Sequence, residues 1–193
     1  MKYYAVVDLE WTSWKKNYYG KYLKKEKREI WQKKEIIQIG AIKFNKHFKT
    51  IKKINIFVKP KINKKLSSYI TKLTSITDKA LEKKGINFID AFKKLKKFSN
   101  KTLLFCNGKD RDVLNKNLLY NKIRTKKIKI INIKKIFKNK YNIPEKYLHS
   151  PVIKTFFGYK YNRKKGHNAL YDCQSIILAM KKMNFNLKIL HNI

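Results

Sequence analysis

Acidic residues are scarce in this chain. Its 193 residues include 12 Asp and Glu against 49 Lys and Arg, a formal net charge of +37. An excess of that size excludes an acidic surface and points to a polyanionic partner. Arginine is scarce as well, with 4 residues against 45 lysines. Codon bias in an AT-rich genome produces the same skew, so charge alone assigns no function, yet even drifted charge draws nucleic acid to the surface. Cys106 and Cys173 are the only cysteines. They lack CxxC spacing, and the four histidines form no zinc-type pattern with them. This excludes a disulfide framework and speaks against zinc; both thiols read as small core residues of a reduced compartment. No apolar run reaches the length of a membrane span, and the run before Asp8 is too short for a signal peptide. No membrane partner is expected, and the cytoplasm is the expected location. Three prolines and six glycines leave no linker, repeat or domain boundary. With 43% hydrophobic and 13% aromatic residues, one packed domain over 1–193 is expected.

The pattern of elements is mixed. Tyr3 to Val7 is a continuous aromatic and β-branched run, which predicts a strand buried on both faces. Residues 13–34 are Lys-rich and predict a loop or insertion. Glu35 to Phe44 and Ile51 to Val58 predict two more strands, with gaps short enough for antiparallel neighbours. Ser67 to Leu73 and Thr77 to Leu81 predict helical turns. Phe88, Ala91, Phe92, Leu95 and Phe98 make one apolar helical face. Thr102 to Cys106 predicts a buried strand, a helix follows from near Asp110, and Ile128 to Ile133 predicts a fifth strand. Ser150-Pro151 reads as an N-cap and first helical residue, with Gly158 closing a short helix. A last helix starts near His167. The class is α/β: three antiparallel strands then two parallel strands in a mixed sheet, with helices on both faces.

Against the basic background, a few acids stand in apolar surroundings. Asp8 and Glu10 share one face of a strand, about 7 Å apart at Cα. Two carboxylates that close repel unless a cation lies between them, and oxygen-only ligands favour Mg²⁺ or Mn²⁺ over zinc. Solvated acids at a strand end are the plain alternative. In the last helix Ala169, Cys173, Ile176 and Met180 form the core stripe, and Asp172 lies on or beside it. A core-facing Asp needs a partner, either a metal or a Lys or backbone amide. His167, just after Gly166, fits the turn before that helix, where it can swing over the site and take a proton. Asp110 and Asp112 compete as a further acid. Asp110 lies four residues before Leu114, so it can face the strand ends while Leu114 packs inward.

The ordered set of Asp8-x-Glu10, Asp110 and His167-x-x-x-x-Asp172 resembles the DEDDh-type, DnaQ-like 3′–5′ exonucleases of the RNase H-like fold. Glu35-Ile-Ile-Gln-Ile-Gly-Ala-Ile, Val58-Lys59-Pro60 and Leu73-Thr74-Ser75-Ile76-Thr77 are similar to further segments of that family, and the likeness spans about residues 3–182. Asp8-Leu9-Glu10-Trp11-Thr12 and Phe105-Cys106 look closest to the branch that trims RNA 3′ ends, with Asn107-Gly108 standing where that branch usually has Trp-Gly. The resemblance implies hydrolysis of single-stranded nucleic acid, RNA in the first place, to nucleoside 5′-monophosphates. It implies two ions of Mg²⁺ or Mn²⁺ held by Asp8, Glu10, Asp110 and Asp172. His167 then acts as the base, and Leu9, Trp11, Thr12 and Asn107 lie at the substrate. DNA-directed repair or proofreading is the alternative activity, and a non-catalytic nucleic-acid-binding module the more remote one.

Overall fold

In the computed structural model, which describes residues 3–14, 33–124, 128–162 and 165–187, the apolar run at the start becomes strand β1, Tyr3–Trp11. The strand continues past Val7 because its last residues still pair with β2 (Ile36–Phe44), Asp8 facing Gly40 and Glu10 facing Gln38. β3 (Thr50–Phe57) pairs antiparallel with β2. β4 (Thr102–Cys106) lies parallel to β1, and β5 (Ile130–Asn132) parallel to β4. The sheet order is β3-β2-β1-β4-β5. This is the RNase H-like mixed sheet the sequence predicts. Most of the 13–34 segment lies outside the described residues.

The helices are α1 (Ser68–Thr74), α2 (Asp78–Lys84), α3 (Phe88–Ser99), α4 (Asp110–Tyr120), α5 (Lys134–Tyr141) and α6 (Ala169–Lys182). Alternation along β1 divides the core between two layers. Tyr4 and Val6 pack with Ile42 and Phe105 under Phe137 of α5 and Ile176 of α6. Ala5 and Val7 pack on the other face with Leu95 of α3 and Leu114 of α4. Asp8 and Glu10 continue the even-numbered series, so they emerge on the α6 face. There Gly40 is indispensable: a Cβ on it would lie 2.5 Å from the Ala169 carbonyl carbon. Gln38, fully buried, accepts the Ala169 N–H at 3.1 Å and donates to Asn55 at 2.8 Å. The start of α6 is thereby seated directly above the carboxylates of β1.

Two boundaries differ from expectation. The fifth strand is only Ile130–Asn132; the Ile133 N–H instead bonds the Cys106 carbonyl at 2.9 Å, and Asn132 Oδ1 accepts the Lys134 N–H at 3.0 Å, which turns the chain into α5. Ser150 does not cap a helix. Residues 150–152 form a turn, and a 3₁₀ helix, Ile153–Phe157, follows without a side-chain cap, although Gly158 closes it at φ +83° as expected. The last helix begins at Ala169, where the Asn168 side chain accepts the Tyr171 N–H. Cys106 and Cys173 are buried free thiols. No helix among the described residues is long and apolar enough to cross a membrane.

Candidate active site

Strand order reverses between β2-β1 and β4-β5, so a crevice opens at the carboxyl ends of β1 and β4. β4 pairs with β1 only as far as Val6, so among the described residues the Asp8–Trp11 end of β1 has no strand partner on that side. The cleft has a volume of about 660 Å³, and Asp8, Glu10, Asp110, His167 and Asp172 all line it. Each arrives from a different constraint. Asp8 and Glu10 come from one pleat of β1. Asp110 opens α4, and its Oδ1 accepts the Leu9 N–H at 3.0 Å, which ties it to β1 between the other two acids. Asp172 lies in the first turn of α6. His167 occupies the preceding turn at φ +58°, and its backbone N–H is directed at the Asp172 carboxylate. The carboxylates of Glu10 and Asp172 and a His167 ring nitrogen lie within 4.8 Å of one another. Asp112, the competitor of Asp110, has a side chain 65% exposed beside Arg111 and does not line the cleft.

The four acids are 2–7% exposed, and among the described residues none forms an ion pair with Lys or Arg. Asp172 Oδ1 is buried and has no hydrogen-bond partner among the described residues. Burial, and then repulsion from Asp110, Asp172 and Glu10, raises the Asp8 carboxyl well above its ordinary range, while a hydrogen bond from Ser150 acts against this. Burial, and then repulsion from Asp172 and Asp110, raises Glu10. Burial raises Asp110 to about 6 and Asp172 to about 8. Unpaired, buried, mutually repelling oxygen donors with one orphaned oxygen fit a hard divalent cation, which would neutralise them.

This arrangement sets a stability-versus-pH expectation. Unfolded Asp releases its proton near pH ~3.9, below the folded values of Asp110 and Asp172. Between the two, the folded chain binds more protons than the unfolded chain, so stability falls as pH rises. Metal-free protein should therefore melt at progressively lower temperature from about pH 4 to about pH 8. His167, lowered by burial and by His149, acts in the opposite sense and is retained in Asp172→Asn. That variant should flatten the upper part of the fall. Melting curves in chelator check it; equal slopes for the two proteins above about pH 6 would contradict it.

Of the expected substrate residues, Leu9, Trp11 and Asn107 line the cleft. Thr12 does not. Its hydroxyl donates to the Lys33 carbonyl at 3.2 Å and accepts the Glu35 N–H at 3.0 Å, behind the cleft wall. Asn107 is turned toward the loop that follows α5: its Nδ2 donates to the Leu148 carbonyl at 3.0 Å and approaches Ser150 Oγ at 3.5 Å. Three residues were not anticipated. His149 and Ser150 reach the cleft from that loop; His149-Ser150-Pro151 carries a capping pattern that hides this role. Glu35 is buried and accepts the N–H groups of Lys61, Ile62 and Asn63. It braces the segment that supports Thr12, and its place at the head of a strand gave no sign of this.

The profile of the RNase T-type family, described as Exonuclease, matches residues 5–180. No curated protein matches by sequence. Among solved structures, the nuclease domain of 3′hExo, a DEDDh family member, bound to rAMP, is 22% identical; the match covers 95% of this chain and 92% of that one at a TM-score of 0.77. A 3′-exonuclease in a structure of 3′-end-specific recognition of a histone mRNA stem-loop is also 22% identical, covering 95% and 81% at 0.76. Exonuclease I of E. coli in complex with a dT13 oligonucleotide is 13% identical, and all of this chain matches 43% of that longer protein at 0.69.

Proposed function

Because this chain belongs to the RNase T-type exonuclease family and is a DEDDh 3′–5′ exonuclease, we propose that it shortens single-stranded RNA from the 3′ end and releases nucleoside 5′-monophosphates. The observation that carries this reading is the convergence on a single cleft of one histidine and four buried carboxylates that form no ion pair among the described residues. Asp8, Glu10, Asp110 and Asp172 are the residues that would hold two ions of Mg²⁺ or Mn²⁺. Bound there, such ions would activate the attacking water and stabilise charge on the departing 3′ oxygen. His167 accepts the proton of the water. Burial first, and His149 second, hold its ring below the ordinary imidazole value, so it is neutral and able to accept a proton near pH 7. Leu9 and Trp11 offer the terminal nucleotide an apolar wall, and Lys109 and Lys146 on the rim attract phosphate. Asn107 lines the same cleft, and Thr12 supports that wall from behind.

Support for RNA comes from the Asp8–Thr12 and Phe105-Cys106 segments and from the 2′ hydroxyl that Glu10 could bond in a ribose end. The 3′hExo domain was seen with rAMP, whereas the E. coli exonuclease was seen with a deoxyoligonucleotide. Lysine attraction does not discriminate, since it reads phosphate in both polymers and weakens with salt. Two oligonucleotides differing only in the sugars of their last two nucleotides should therefore be compared at physiological salt. The ribose end is expected to be removed faster, with Mg²⁺ or Mn²⁺ required and 5′-monophosphates as products. Equal or faster loss of the deoxy end would transfer the assignment to DNA. Robust activity in excess chelator, or internal cuts, would remove the proposed chemistry.

A further inference from the structure

The cleft, at about 660 Å³, has the size of a site for one small ligand, so the rest of any strand held there must leave over its rim. The connection between α5 and α6 forms part of that rim. Lys146, His149 and Tyr161 line the cleft from it, and from Lys146 to Tyr171 the chain contains no Asp or Glu. A run of contacts leads outward from Lys146. Its Nζ lies 5.0 Å from the centroid of the Tyr147 ring, and that ring lies 5.4 Å from the ring of Phe156. Tyr147 and Phe157 are half-buried and pack against the core layer under α5 and α6. Phe157 meets the Phe156 ring at a near right angle, with centroids 5.1 Å apart. Phe156 itself, in the 3₁₀ helix, is 40% exposed. A single exposed apolar side chain is ordinary on a protein surface. This one differs because two rings anchored in the core touch it, Lys154 and Lys160 flank it in the chain, and Tyr147 and Lys146 connect it to the cleft. Tyr161, 37% exposed, adds a second ring on the same rim, packed so closely over Gly166 that a Cβ there would collide with it.

We propose that the Phe156 ring, braced by Tyr147 and Phe157, is a platform on which a base of the single strand stacks after the strand has left the cleft. Exposed rings set among lysines are how single strands are held without regard to sequence: every base has a π-face, and the ammonium groups track the phosphates. The absence of acids along the connection leaves nothing there to repel the backbone. A braced ring also loses little freedom when a base covers it. Paired bases in a duplex keep their faces stacked on one another, so the platform favours an unpaired strand, and one long enough to reach from the cleft to Phe156. The position of the base relative to the cleft rests on the function proposed above, whereas stacking on Phe156 is a matter of binding alone.

The test measures affinity of the full-length chain, in Mg²⁺ and physiological salt, for a short single strand with an uncleavable terminal linkage. A set of otherwise identical strands each lacks one base at successive internal positions while keeping every phosphate, so lysine attraction is the same throughout. For wild type, loss of the base at one internal position is expected to weaken binding by about 5-fold or more, the lower end of what one base–aromatic stack supplies. Phe156→Ala and Phe156→Leu should bind the complete strand more weakly by the same factor and no longer register the missing base. Phe156→Trp should restore the discrimination, which a merely structural role for this side chain would not produce. If Phe156→Ala fails to fold, Phe156→Leu, which keeps apolar bulk without a ring, carries the test. Equal affinity of wild type for all internal strands, or undiminished discrimination in folded Phe156→Leu, would overturn the proposal and make the exposed ring a contact for something other than a base. Shortening of strands by a chain without this discrimination would leave the proposed function standing and remove the platform. A chain that discriminates through Phe156 yet shortens no strand in Mg²⁺ would support the platform and overturn the proposed function instead.

Discussion

Asp8→Asn and Asp172→Asn should each reduce strand shortening by more than about 10²-fold, since even outer-shell partners of a metal site are worth 10–100-fold, while the fold survives. Both acids are buried, both are raised by burial, and both face further carboxylates. Asn keeps the shape and removes one charge from a repelling cluster. The metal-free melting temperature should therefore hold or rise, and stabilisation by added Mg²⁺ or Mn²⁺ should shrink. Single-turnover assays alongside melting curves with and without metal separate the two effects. Wild-type turnover in either variant would take that acid out of the site. A melting temperature lowered by many degrees would make the acid a structural group, because then its lost contacts outweigh the relieved repulsion.

The second large effect belongs to His167. Replacing it with Asn should lower kcat by about 10²–10⁴-fold, the usual contribution of a general base, with KM little changed. Asn is the informative replacement because the residue occupies φ +58°, a conformation that Asn adopts more readily than Ala. The His167 N–H directed at Asp172 is a backbone group, so it survives the substitution and leaves α6 in place. Affinity for a strand with an uncleavable terminal linkage should stay close to wild type, because attraction of phosphate by the many lysines does not depend on the imidazole. Collapsed affinity with unchanged turnover at saturation would make His167 a binding residue and remove it from the chemistry.

Much of this molecule is legible along the chain because its periods are local. The even and odd residues of Tyr3–Trp11 decide which side chains face each layer, and the same alternation puts Asp8 and Glu10 on one face. The helical turns expected from Ser67 and from Thr77 are α1 and α2, and in the structure these two side chains cap them. The spacing of Ala169, Cys173, Ile176 and Met180 predicts the buried stripe of α6 and so the inward aspect of Asp172. The choice of Asp110 over Asp112 follows from Leu114, four residues on, and in the structure Asp110 bonds the Leu9 N–H while Asp112 remains outside.

What stayed illegible depends on contacts between distant segments. Ser150-Pro151 has the composition of a helix start, but local preference of about 1 kcal/mol yields to a loop braced by Asn107, the residue after β4. Glu35 looks like any acid at the head of a strand until residues 61–63 fold back onto it. The sequence alone determined the layered α/β fold, the shared face of Asp8 and Glu10 and the inward side of α6, because periods of 2 and 3.6 act within single elements. Only the tertiary structure decided that a His167 ring nitrogen comes within 4.8 Å of the carboxylates of Glu10 and Asp172. That approach requires the missing Cβ of Gly40, the bond from Ala169 to Gln38 and the positive φ of His167 together, and no local pattern encodes the distance between two strands and a helix more than a hundred residues away.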